Sequence, residues 1–300
     1  MTIFAPSLDF VAPAFPGDAF LYFFTMEMFQ RTMISAISVA IVAGLQGIFL
    51  LVRNLTLIED GLAHVFFGGV AIGIVLGATH SLWYALFLSI VASLVIHELQ
   101  SREVLLGDAS IAIFLTGILA LGLVVLRTNG EEIPTDIEGD FFGSLLSINE
   151  SDLDSILRIC IGALFTLFII RSGSLVITVN PFAAAVQGVP VRTSGTLFSM
   201  LTALVVNMVQ VVGALLVTSL LVTPAVTAQL VGRDFRSCML WTQVFGFSFV
   251  TFGLYFSVER DTGSGSMIAL MVAIMFCLMA ISTGMPKFIT FNNNDSSFEE

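Results

Sequence analysis

About nine runs of apolar residues, each long enough to cross a bilayer, follow one another at roughly 28–52, 58–78, 81–99, 105–126, 152–170, 192–208, 210–231, 236–257 and 264–284. A crossing helix needs about 20 such residues, and lipid offers the backbone no hydrogen-bond partner, so only helices or a closed barrel can span it. The runs are continuously apolar rather than alternating, with Gly and Pro inside them, which selects helices over a barrel. The expected fold is therefore all-α: a polytopic transmembrane bundle of about eight or nine helices. Composition agrees, since 57% of the 300 residues are hydrophobic and 11% charged, where a soluble domain has about a quarter charged. The transmembrane part is expected over 28–285, with 1–27 outside the membrane or interfacial and 286–300 a polar cytoplasmic tail. The stretch Asn292–Glu300 has the composition of a disordered end. No room remains for a soluble catalytic domain, and no basic segment precedes the first apolar run, so no cleavable signal peptide is expected.

The net charge of -11 disfavours a nucleic-acid partner. Threading nine helices alternately puts Arg53, Arg102, Arg171, Arg192, Arg233, Arg236 and Lys287 on one side, which is then cytoplasmic. The other side receives Arg31, Arg127 and Arg260 with the acidic loop Glu131, Glu132, Asp136, Glu138, Asp140 and Glu150, plus Glu259 and Asp261. These outer acids serve solvation or attract cations, and sequence does not separate the two. Cys160, Cys238 and Cys277 lie in apolar runs without metal or disulfide spacing and read as packing residues. There is no convincing internal repeat.

Ionisable residues inside such runs are informative, because one at a helix centre costs about 2.5–3.5 kcal/mol to insert. Asp60 and His64 are four apart, so on a helix they share a face with Cβ atoms about 6 Å apart. A carboxylate and an imidazole so placed can hold a divalent first-row cation, or simply bond each other to fix helix packing. Asp108, just after Gly107, suits a helix start. Glu59, on a different face from Asp60, reads as interfacial, as do His80 and His97 with Glu98. Gly68, Gly69, Gly73 and Gly77 either let helices pack closely or line a narrow path. Pro224 is expected to kink the run 210–231, with Thr223 or Thr227 satisfying freed carbonyls. Asn207 and Gln210 mark the break between that run and the one before it.

The stretch Asn180 to Arg192 differs in kind. It begins Asn-Pro, runs about two turns, ends at Gly188 and falls on the cytoplasmic side. A short helix outside the membrane gains nothing from being apolar unless something covers it, so 181–191 reads as a docking helix for a cytoplasmic partner.

At this point the chain resembles the membrane permeases of ATP-binding-cassette importers for manganese, zinc and iron, over about Met28 to Pro286. Leu55-Thr56-Leu57-Ile58-Glu59-Asp60-Gly61-Leu62-Ala63-His64 is similar to that family's Ser-Leu-x-Gly-Asp-Ala-x-Ser-His pattern after the first helix. Further matches are Gly107 to Ile113, Phe142 to Leu146, and Val211 to Val217 running into Leu221 to Ala228. The resemblance implies that Asp60 and His64 are metal ligands in the translocation path with Asp108 contributing. It also implies that Pro181, Phe182, Ala184, Ala185, Gly188 and Arg192 belong to a coupling helix touching the ATPase. It further implies a homodimeric, multi-pass plasma-membrane permease supplied by an extracellular metal-binding protein, with no permanent cofactor. Glu59 stands where the family has Gly, Gly61 where it has Ala, Phe66-Phe67-Gly68 where it has Val-Leu-Pro-Gly, and Asn180 where it has an acid.

The chain carries no Gly-x-x-x-x-Gly-Lys-[Ser/Thr] loop, so ATP hydrolysis must come from a separate subunit and the chain itself is expected to be no enzyme. An ATP-independent metal carrier or channel is the alternative. An intramembrane hydrolase is disfavoured by the lack of His-Glu-x-x-His.

Overall fold

The computed structural model describes residues 26–53, 55–78, 81–102, 107–129, 150–179, 184, 186–188, 190–212, 214–260 and 262–295. These form ten α-helices and no strand: α1 (Glu27–Val52), α2 (Leu57–Val75), α3 (Ser81–Ser101), α4 (Gly107–Thr128), α5 (Glu150–Val179), α6 (Val191–Val212), α7 (Ala214–Leu221), α8 (Thr223–Val231), α9 (Phe235–Glu259) and α10 (Ser264–Asp295). Seven of them, α1 to α5 with α9 and α10, are long and apolar enough to cross a membrane. At 22 residues α6 has the length of a crossing as well, but Arg192, Thr193, Ser194 and Thr196 make its first turns polar.

Burial sorts the helices into a centre and a rim. α1 touches α5, α6, α7, α8 and α9, and contributes Val39, Ala43, Phe49 and Leu50 to a core shared with Phe198, Val205 and Val206 of α6 and Leu216 and Leu220 of α7. Outward, α3, α5, α9 and α10 present Phe87, Ile161, Phe165, Phe168, Leu240 and Leu278. In water such a surface would drive aggregation. In lipid it costs nothing, because acyl chains are as apolar as the side chains.

The run expected as one kinked crossing is two helices. α7 ends at Leu221 and α8 starts at Thr223 with Pro224 in its first turn. Pro224 has no N–H to donate and its ring collides with the preceding turn. Thr227 Oγ1 donates to the Thr223 carbonyl at 2.7 Å. α1 crosses close by: a methyl group at Gly47 would overlap the Leu221 carbonyl oxygen.

Two boundaries differ from expectation. Asn207 and Gln210 do not break the chain, and α6 continues through them to Val212. Asn207 is buried, donating from Nδ2 to the Ala203 carbonyl at 2.6 Å and accepting from Ser89 Oγ at 3.4 Å. Its amide is thus satisfied within the bundle and has no need of water. At the other end α10 continues to Asp295, four residues into the stretch expected to be disordered from Asn292. An established helix extends by one hydrogen bond per residue, without the cost of nucleation.

Candidate metal site on the second helix

α2 is held by close backbone approach. A Cβ added at Gly68 would lie 2.7 Å from the Ile118 carbonyl oxygen on α4, one at Gly69 2.5 Å from Ala85 Cα on α3, and one at Gly61 2.6 Å from Ile111 Cγ2. From the α4 side, a Cβ at Gly122 would lie 2.7 Å from Gly68 Cα. Gly68 and Gly69 therefore serve helix packing. Gly77 has a different task, ending the helix at φ +66°, a backbone conformation open to Gly at little cost.

On this clamped helix Asp60 lies in the first turn and His64 one turn later. Asp60 is exposed on the chain's surface and His64 is half-buried. His64 Nδ1 is fully covered and has no hydrogen-bond partner. A neutral imidazole has one acceptor nitrogen, and a buried one left unpaired costs roughly 1–3 kcal/mol. Carboxylate and imidazole are donor types that suit a divalent first-row cation; Asp60 is open to one in the single chain, whereas the covered Nδ1 would reach one only after local movement. The pair is not a complete site: among the described residues no three His, Cys, Asp or Glu side chains come together.

Glu59 departs from its interfacial expectation. It is 1% exposed, with Oε2 buried and unpartnered, because it falls on the protein-facing side of α2 alongside Leu62 and Phe66. Nothing in the sequence flagged this beyond its place beside Asp60. Asp108 is in the first turn of α4, as its Gly107 neighbour indicated, and its side chain lies outside the described residues.

Of the docking segment, Pro181, Phe182 and Ala185 lie outside the described residues. Ala184 and Val186 are helical, Ala184 fully buried and Val186 89% exposed. Gly188 follows at φ +76°, the left-handed conformation that commonly closes a helix. α6 then starts at Val191, and the Arg192 guanidinium donates from Nη2 to Glu98 Oε1 of α3 at 2.6 Å. Arg102 Nε donates to the same oxygen at 2.7 Å. His97 of α3 lies against Gly195 of α6, where a Cβ would be 2.8 Å from its Nε2. Arg53, just beyond α1, covers the Phe198 ring at 4.1 Å from its centre, and burial pulls its pKa down to about 10, leaving it charged at neutral pH. The sequence showed Arg53, Arg102 and Arg192 only as one-sided charge and His97 with Glu98 as interfacial, not as a meeting of three helices.

Seven apolar helices of crossing length, packed around the buried α1, define a multi-pass membrane protein. The chain belongs to the ABC 3 transport family, whose model matches residues 25–283. It is 30% identical over 250 residues to the manganese transport system membrane protein MntC of Halalkalibacterium halodurans, covering 83% of this chain and 85% of that protein. It is 28% identical over 253 residues to the high-affinity zinc uptake system membrane protein ZnuB of Haemophilus influenzae, covering 84% and 96%. Among solved structures it superposes on PsaBC from Streptococcus pneumoniae in complex with Fab with a TM-score of 0.74 at 26% identity, covering 85% of this chain and 91% of that one. Family membership favours the ABC permease over the ATP-independent alternative.

Proposed function

We propose that the chain is the plasma-membrane permease of an ATP-driven importer of divalent manganese, zinc or iron, and that Asp60 and His64 hold the ion in transit. The observation that carries this reading is the family match over 25–283 together with the orphaned His64 nitrogen one turn from Asp60. Names of relatives support manganese and zinc; iron rests on ligand chemistry alone, since carboxylate and imidazole suit all three ions.

Two ligands from one chain leave a first-row ion under-coordinated. Asp60 is exposed in the single chain, so a homodimer pairing the α2 ends across its axis would supply two carboxylates and two imidazoles. Such a set is strong enough to select a divalent ion and remains open enough to release it. Asp108 is a further donor from α4. An extracellular binding protein delivers the metal to the outer mouth. On the cytoplasmic side an ATPase subunit docks on 181–191, where Val186 presents apolar surface. ATP binding and hydrolysis then shift the permease between two states with different contacts to the ion, which is what moves it.

The test is uptake of radiolabelled manganese into vesicles holding the permease with the ATPase that co-purifies with it, with zinc and ferrous iron as competitors. Uptake is expected to require ATP and to be suppressed by at least one competitor. Equal uptake without ATP would overturn the proposal.

A further inference from the structure

We infer that Glu98 is a positioning residue for transport: by gripping Arg192 it fastens the start of α6 to α3, so that a push on the docking segment reaches the helix carrying Asp60 and His64. The inference rests on the function proposed above and adds Glu98, which neither the sequence motifs nor the site itself assign, as the partner of Arg192.

Glu98 Oε1 takes two guanidinium donors, Arg192 from across the helix interface at 2.6 Å and Arg102 from its own helix at 2.7 Å. Arg192 is the second residue of α6 and lies four positions after Gly188 closes the docking segment. The grip is the first rung of an antiparallel ladder. Next comes His97 packed on Gly195, then Ser93 Oγ donating to the Ser199 carbonyl at 2.7 Å, then Ser89 Oγ donating to Asn207 at 3.4 Å. Ser93 and Ser89 are fully buried, so these bonds have no water to exchange with. α3 and α6 thus form one stiff unit over roughly 15 Å at 1.5 Å per residue. That unit meets α2 farther up, where Ala85 of α3 sits against Gly69 at backbone distance.

The rungs beyond the first are fixed by packing, and the first one alone is ionic and partly exposed. It is therefore the place where the start of α6 can detach without unfolding the bundle. Exposed ion pairs contribute little to stability, so losing this one should show in coupling rather than in folding.

The experiment uses the permease with its co-purifying ATPase in vesicles, reading manganese moved per ATP hydrolysed alongside thermal stability. Glu98→Gln and Arg192→Gln are each expected to lower that ratio by about threefold, the scale of one partly exposed ion pair, with stability unchanged. The exchanged pair Glu98→Arg with Arg192→Glu is expected to recover most of the ratio. Arg102→Gln leaves the cross-helix bond in place and should leave the ratio as it was. A ratio unchanged in both single variants, with ATP-driven uptake intact, would overturn the inference alone. Lowered ratios without recovery in the exchanged pair would do the same. No ATP-driven uptake by the unaltered complex would overturn the functional reading and this inference together.

Discussion

The sharpest structural expectation concerns two glycines on neighbouring helices, Gly68 of α2 and Gly117 of α4. Gly68 of α2 faces the Ile118 carbonyl oxygen of α4, and a Cβ there would lie 2.7 Å from that oxygen and 2.8 Å from Ile118 Cγ2. A carbon needs about 3.5 Å from such atoms to avoid repulsion, so Gly68→Ala forces the two backbones apart by several tenths of an ångström. Overpacking of this kind costs about 1–3 kcal/mol. With backbone rather than a side-chain tip as the obstacle, the upper half of that range applies. At about 2–4 °C per kcal/mol for a chain of this order of size, the melting temperature should fall by about 4–12 °C. Gly117 of α4 has nothing within 4 Å of its Cβ position. Helices in lipid stay helical when a bundle separates, so Ala gains little from its propensity, and Gly117→Ala should stay within about 0.5 kcal/mol of the parent. Thermal denaturation of the detergent-purified protein, followed by intrinsic fluorescence or aggregation, measures both variants side by side. Equal melting temperatures for the two would refute the close α2–α4 contact.

Other expectations follow from single contacts. Thr202 Oγ1 accepts from Gln46 Nε2 at 2.8 Å in the core, and Gln46 Oε1 already lacks a partner. Thr202→Val should therefore destabilise by about 1 kcal/mol, seen as a melting shift that Gln46→Leu in the same chain largely reverses. Val186→Asp adds charge to an exposed apolar position and should weaken ATPase co-purification while the melting temperature holds. Ala184→Asp buries a carboxylate where Ala184 is fully covered, and should lower the melting temperature as well.

The lipid-spanning architecture was legible because bilayer thickness imposes one length on every crossing, and a run of 20 apolar residues has little else to become. A disturbance near Pro224 was legible for a related reason, since Pro lacks a donor wherever it sits, but it was expected as a kink and the helix in fact stops at Leu221 and restarts at Thr223. Asn207 was misread because polarity alone does not tell a helix end from a buried amide. Only Ser89, more than a hundred residues earlier, decides between them. Glu59 shows the same gap, since helical position separates it from Asp60 but not which side faces protein. The glycines of α2 were ambiguous until Ile118 and Ala85 came within reach. That Asp60 and His64 stand one turn apart on one helix was readable from spacing alone, whereas the unpartnered His64 nitrogen is a property of the packed chain.

The central claim is that this acid and this imidazole carry the ion. Manganese uptake by vesicles bearing the complex with Asp60→Ala or His64→Ala in the permease tests it most directly, with retained ATPase association and melting temperature as the check on folding. The account predicts that each variant loses uptake to background while both checks stay at parental values. Uptake at the parental rate in either variant would contradict it.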